Sequence, residues 1–154
     1  MPLLKLSEGR LSPALEEALV EVSFEEWVEN PQANAEATAL VISNDAPLAD
    51  IAADLNGFDV IILDFPTFKD GRAYSQARLL RERFSYTGEL RARGHVLRDQ
   101  ILFMARCGFD AFDFRGNDID SLEAAMREFS YVYQAAADSA EPVWRRRLKT
   151  AAAA

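Results

Sequence analysis

The chain has 154 residues, 49% hydrophobic and 27% charged, with a net charge of −8. That length favours one domain with a core that needs no staples, and the single cysteine, Cys107, excludes an intramolecular disulfide and any cysteine-held cluster or zinc site within one chain. The acidic balance repels a phosphate backbone, no apolar run nears the ~18 residues of a bilayer span, and MPLLKLSEGRLSP has no signal-peptide h-region, so the expectation is a cytoplasmic protein without nucleic-acid or membrane partners.

Residues 1–36 are expected to form a helical N-terminal subelement. Ser12-Pro13 reads as a helix start, because serine caps and proline tolerates the first turn. Ser23 with Glu26 fits a capping box ahead of FEEWVEN, which Pro31 stops. ATALVIS (37–43) is the first strand, almost continuously apolar, as strands buried on both faces are. A helix over 47–56 follows, with Leu48, Ile51, Ala52 and Leu55 on one face. FDVIILDF (58–65) is the second buried strand. The helix over 71–84 has Asp70 as its N-cap and Ala73, Ala77, Leu80 and Phe84 on its buried stripe. ELRARG (89–94) alternates with arginines and reads as an edge strand. A helix over 96–107, with Leu97, Ile101, Met104 and Ala105 inward, leads to a fourth strand, FDAFDF (109–114). A helix over 120–134 buries Leu122, Ala125, Met126, Phe129 and Tyr133, and Asp120 with Glu123 resembles its capping box. Gly57-Phe58 and Gly108-Phe109 each have the glycine-then-apolar form of a Schellman stop. The segment 139–154 is a basic tail, expected to fray after Lys149.

Strand then helix, four times over residues 37–138, implies right-handed crossovers and an α/β fold with a mainly parallel sheet of about four strands and flanking helices. An open, doubly wound sheet is the favoured form, and a half-barrel is the alternative.

The charge is uneven. Between Lys69 and Arg106 there are nine basic and four acidic residues, a reversal of the sign of the whole chain. In parallel sheets ligands bind beyond the carboxyl ends of the strands. Those ends supply Ser43, Asn44 and Asp45, then Asp64, Thr67, Lys69 and Asp70, then Arg93 and His95, then Asp113, Arg115 and Asn117. Lys69, Arg72, Arg93 and Arg98, converging near Gly71 and Gly94, would form a pocket for sulfate, sulfite, phosphate or a carboxylate. Asp64 is the candidate general base or orienter, and Tyr74 and Ser75 lie near the same helix start. Cations near helix starts oppose the dipole, so Arg72, Arg93 and Arg98 call for a compensating anion, either a ligand or Asp64, Asp70 and Asp99.

Other charged residues have structural readings. Arg81 and Arg83 complement a helix C-terminus, and Arg78 with Glu82 is an i,i+4 pair. His95, the sole histidine, is a proton carrier or a turn residue, and a histidine-based metal site is not expected. Cys107 reads as a buried filler. The sequence lacks GxGxxG, GxxxxGK[ST] and GxSxG, and SNDAP lacks the hydroxyl-rich loop expected for a flavin phosphate, so no recognisable motif encodes a cofactor.

DFPTFKDGRAYSQARLLRERF followed by GELRARGHVLRDQILFMARCGFDAF resembles a bacterial domain-of-unknown-function family. The pattern falls on Phe65 to Arg72, Tyr74 to Arg81, Gly88 to Gly94, Leu97 to Gln100 and Arg106 to Phe109. In proteobacteria this family is commonly encoded beside sulfite reductase and often labelled an oxidoreductase. The resemblance implies a role in assimilatory sulfur metabolism and carries no catalytic residue. Two functions are expected from it and from the charge pattern. One is an accessory protein that docks on an acidic partner of the sulfite reductase system through an arginine-rich face. The other is an enzyme or sensor that binds a small anion or nucleotide at the strand ends.

Overall fold

The computed structural model describes residues 3–15, 18–67, 69–114, 116, 118–138 and 140–152. Among these a seven-stranded sheet carries the fold, in the order β2-β1-β7-β6-β5-β4-β3. Its strands are β1 (Leu3–Ser7), β2 (Arg10–Ala14), β3 (Glu21–Ser23), β4 (Ala39–Ile42), β5 (Val60–Phe65), β6 (Glu89–Gly94) and β7 (Ala111–Asp113). The helices are α1 (Phe24–Glu29), α2 (Arg72–Arg78), α3 (Ile101–Cys107), α4 (Ile119–Met126) and α5 (Val143–Ala152).

The N-terminal region differs from the expected helix. Its first element is a hairpin, β1 against β2, closed at Glu8-Gly9 with φ of 51° and 76°. A two-residue turn with both φ positive twists in the hand that a hairpin needs. Ser12 and Pro13 therefore lie in a strand, and Pro13 is tolerated because β2 is an edge. The Ser23 capping box forms as expected: Glu26 N–H donates to Ser23 Oγ at 3.2 Å and Ser23 N–H to Glu26 Oε2 at 3.0 Å.

Strands β3 to β7 are all parallel neighbours and sit in the sheet in chain order. The sheet thus has seven strands where about four were expected. Its parallel part does not reverse order from an inner strand, as a doubly wound sheet does. Sequential order with right-handed crossovers puts the connections on one face, and there the main core lies. Leu40, Ile42, Ile61, Leu63, Phe65, Leu90, Ala92 and Phe112 pack against Ala73, Ala77 and Leu80 of the α2 region, Ile101 and Met104 of α3, and Leu122 of α4.

β6 is a central strand between β5 and β7, not an edge. Its arginines are accommodated because Glu89, Arg91 and Arg93 all point to the other face, level with Val60, Ile62 and Asp64 of β5. There Arg91, 5% exposed, pairs with Glu89 at 2.7 Å, and Glu89 also takes Lys5 Nζ at 2.9 Å.

That face is concave. Arg93 Nη1 reaches Glu21 Oε2 at 2.9 Å. By register, Glu21 lies three strands away and level with Glu89, four residues below Arg93. On a flat sheet that is ~14 Å sideways and ~13 Å along, beyond what the two side chains span together. The covalent chain agrees. Ala14 and Glu21 sit on opposite edges, six strand spacings or ~29 Å apart if flat, yet seven residues reach ~25 Å at most. The sheet curls towards this face.

The connections are shorter than the helical periodicity suggests. Residues 47–56 form two 3₁₀ turns, Leu48–Ile51 and Leu55–Gly57, which still bury Leu48, Ile51 and Leu55. Gly57 keeps an ordinary φ and ends a 3₁₀ turn, whereas Gly108 takes φ 108° and makes the expected stop of α3. The cap of α2 is Gly71, and Asp70 instead accepts from Arg72 N–H at 3.3 Å. α2 runs on into a π-helical turn, Leu79–Arg83. α4 is capped by Asp118, which accepts from Ser121 N–H at 2.9 Å, so the Asp120–Glu123 box does not form. It ends at Met126 and leaves Phe129 and Tyr133 exposed. Beyond the expected tail boundary α5 continues helically to Ala152.

Gly94 ends β6 at φ 102°, and a Cβ there would lie 2.4 Å from the carbonyl oxygen of Phe65. Gly94→Ala is expected to cost about 1–3 kcal/mol in a urea titration. Gly57→Ala, with nothing within 4 Å of its new Cβ, should stay within about 0.5 kcal/mol of the parent.

Candidate functional site

The carboxyl ends of β4, β5 and β6 form a rim held by backbone contacts. His95 N–H donates to Phe65 O at 2.9 Å and Asp70 N–H to Thr67 O at 3.2 Å. Gln76 Nε2 donates to Ser43 O at 2.8 Å, tying α2 to the end of β4. On this rim the predicted residues separate into three groups.

Asp64 and Arg93 are neighbours in register and pair on the concave face: Arg93 Nε donates to Asp64 Oδ1 at 2.9 Å and Nη2 to Oδ2 at 3.4 Å. With Glu21 on its other side, Arg93 sits between two carboxylates.

Asp70 and Arg72 form the second group. The guanidinium makes a two-pronged contact, Nε to Oδ1 at 3.0 Å and Nη2 to Oδ2 at 2.7 Å. The Arg72 hydrogen bond comes first among the causes that lower the Asp70 carboxyl to about 2. Gly71 caps α2 between them, and Thr67, Lys69 and Ser75 are exposed nearby in sequence.

Arg98 is the third group. Its Nε donates to Ser121 Oγ at 2.6 Å and Ser121 O at 3.2 Å, binding the 3₁₀ turn Arg98–Gln100 to α4. Asp99 is exposed beside it and does not neutralise it through a hydrogen bond.

Arg72 and Arg98 thus belong to the helix side of the sheet, and Asp64 and Arg93 to the concave side. The structure does not bring the four to one pocket. Two of the three arginines have found the compensating anion that their placement calls for, and it is Asp64 or Asp70 within the chain. Tyr74 is half-buried between Phe65 and Phe103, with ring centroids at 5.2 and 5.0 Å, and burial above all pushes its hydroxyl up to about 12. Burial likewise pushes the Cys107 thiol up to about 11, in keeping with a filler. His95 is exposed. Arg115 and Asn117 lie outside the described residues.

The arginine-rich window is largely committed to internal bonds. Arg81 is the most engaged. It donates to the carbonyls of Gly108 at 3.0 Å, Tyr86 at 2.7 Å and Gly88 at 2.8 Å, and to the carboxylate of Asp110. Asp110 in turn accepts from Leu90 N–H at 3.0 Å, so one side chain locks the π-helical turn, the entry to β6 and the entry to β7. Arg78 pairs with Glu82 at 2.8 Å as the i,i+4 spacing suggests, and Arg106 with Asp138 at 3.1 Å.

Three features were missed from sequence. Glu21 and Ser121 are partners supplied by distant segments. Gln76 had a local signal, since it is a glutamine inside the buried stripe Ala73, Ala77, Leu80. It is 6% exposed, and its Oε1 has no hydrogen-bond partner among the described residues. Phe103 stands 54% exposed on α3 with its ring against Tyr74, where the periodicity marks only the buried face of that helix.

Two outcomes follow. Arg81→Met strands three carbonyls and a carboxylate and should lower stability by about 2–3 kcal/mol, against about 0.5 kcal/mol for Arg78→Met, both read by chemical denaturation. A carboxyl whose folded value lies below its unfolded one adds stability that is complete above the usual carboxylate range and is lost as pH falls towards the folded value. NMR titration should place Asp70 near pH 2, and Arg72→Met should return it to the usual range near 4.

No curated protein and no solved structure matches this chain. A family model described as "Bacterial protein of unknown function (DUF934)" matches residues 39–144, from the first residue of β4 to the second of α5. That stretch contains β4 to β7, the rim and the whole arginine-rich window, and the chain belongs to this DUF934 family.

Proposed function

We propose that the protein is an accessory protein of assimilatory sulfite reduction, docking on an acidic partner through the outer face of α2 and α3. The observation that carries the docking half is Phe103. A half-exposed aromatic ring packed at a tilt against Tyr74 bridges the two helices, and Leu79, in the π-helical turn after α2, and Leu97, before the 3₁₀ turn that leads into α3, are 41% and 40% exposed. Arg72 and Arg78 of α2, and Arg98 three residues before α3, are exposed. Aromatic residues and arginine are what the centres of protein interfaces are enriched in. Arg98 is held by the uncharged Ser121, so it keeps a full charge for an incoming carboxylate. Arg72 and Arg78 are paired and exposed, and such pairs exchange partners at little cost. The sulfite half rests on the resemblance of the DGR, LRAR and RCGF stretches.

Complementary charge sets encounter rate and salt sensitivity more than affinity. The tagged full chain should retain a component of the sulfite reductase system from a native extract at low salt and lose it at high salt. Phe103→Ser and Arg98→Glu should each weaken retention at least tenfold. Recovery of no component of that system, or equal recovery by the variants, refutes the proposal.

A second reading, an enzyme or sensor for a small anion or nucleotide, is favoured by the buried Gln76 Oε1 at the end of β4, which has no hydrogen-bond partner among the described residues. A thermal-shift panel of sulfite, sulfate, phosphate, adenylyl sulfate, flavins and nicotinamide nucleotides tests it. A binder at about a hundredfold over its Kd should stabilise by about 2.7 kcal/mol, and Gln76→Leu should abolish the shift. A flat response across the panel removes this reading.

A further inference from the structure

α5 is exposed from Trp144 to Ala151, with Trp144 at 45% and Leu148 at 64%. Trp144, Leu148 and Ala151 recur at i, i+4 and i+7, so they make one apolar strip facing solvent. Arg145 and Arg147 border the strip on its two sides, Arg146 and Lys149 lie away from it, and α5 holds no acidic residue. Its described ties are local: Val143 N–H to Val132 O at 2.9 Å, Lys149 to Glu141 at 2.7 Å, and Arg146 over the Tyr131 ring at 5.2 Å. A ten-residue helix with no buried strip is marginal in water. Something apolar and acidic is needed to cover it.

The chain itself offers such a surface. From Leu11 to Phe68 the sequence has twelve acidic residues and no basic one. Within this sector an open groove of about 500 Å³ is walled by Trp27, Pro31, Ala35, Ala37 and Phe58. At its lip Asp54 accepts from Trp27 Nε1 at 3.1 Å, and the exposed Glu29, Glu36 and Asp50 belong to the same sector. Apolar walls with an acidic lip complement an apolar strip with cationic borders.

We infer that α5 of one molecule seats in the Trp27–Phe58 groove of a second copy. Reciprocal seating closes a two-fold dimer in which each copy gives a helix and receives one. An anionic lipid surface would meet the same helix but would be repelled by a chain of net charge −8.

Light scattering after size exclusion tests this on the full chain. At about 50 mM salt the mass should be twice 17.2 kDa, and at about 500 mM salt, where the charges are screened, it should fall to one chain. Trp144→Ser, and Arg145→Glu with Arg147→Glu, should give monomers that stay folded by circular dichroism, since these side chains are exposed in the single chain. Asp54→Lys should also give a monomer. Mixing the Asp54→Lys chain with the Arg145→Glu/Arg147→Glu chain should restore a dimer, because both seats in that pair are again of opposite charge. Monomers at both salts, a dimer that survives the α5 substitutions, or one that survives Asp54→Lys each overturn the inference. So does a failure of the mixed pair to associate. Sedimentation of a monomeric chain with vesicles of equimolar phosphatidylcholine and phosphatidylserine overturns it in favour of a lipid surface.

Discussion

Arg93 holds two carboxylates that the order of strands would keep apart. Asp64 is its neighbour in register, and Glu21 comes from the far edge of the parallel sheet. The contact exists only because the sheet curls, and it lies on the face where curling brings side chains together. Small residues make room for it: Ala39 and Ala111 are fully buried on this face, and Val60 and Ile62 lie between them. Long side chains close over them. Lys5, Glu89 and Arg91 continue the arrangement towards β1. An apolar core of branched side chains covers one face and an ion-paired layer the other. Such a layer is costly to desolvate, so it adds less to stability than to the choice of a single arrangement.

The same economy explains the charge window. An acidic protein with a run of arginines invites an external anion as its explanation. Most of the charge is consumed internally instead. Arg81 gathers three carbonyl oxygens and Asp110, Arg72 has Asp70, Arg78 has Glu82, and Arg106 has Asp138. Arginine suits this work because its planar fork satisfies several acceptors at once. Less of it is consumed next to the outer surface of α3, where Phe103 stands clear of the core and Arg98, in the preceding 3₁₀ turn, has hydroxyl and carbonyl acceptors alone among the described residues.

The sequence foretold elements whose evidence is local. β4, β5 and β7 follow from apolar runs, the Ser23 box from a three-residue spacing, and the Gly108 stop from a glycine before an apolar residue. It misled where two local signals compete or where the partner is remote. Ser12-Pro13 fits a helix start and an edge strand equally well, and Glu8-Gly9 with its alternating flanks was the better guide. ELRARG resembles an edge because its arginines demand polar surroundings, which in the fold come from Glu21, 72 residues away. Residues 47–56 have a helical stripe, yet the crossover from β4 to β5 accommodates only 3₁₀ turns. For the candidate site, residue types at strand ends were legible. Which side of the sheet each would take was not, because that depends on register, and Asp64 and Arg93 point away from the helices that carry Arg72 and Arg98.

The pairing of β1 with β7 sets an order of events during folding. Leu4 lies opposite Phe112, so the hairpin joins the sheet through a strand about a hundred residues further along the chain. Among the described residues β7 is the one strand outside the hairpin that β1 pairs with. Until β7 is in place, Leu4, Leu6 and Leu11 have no sheet to join, and the entropic cost of closing so long a loop falls at the end of folding. The hairpin therefore acts as a latch that shuts on a sheet already assembled.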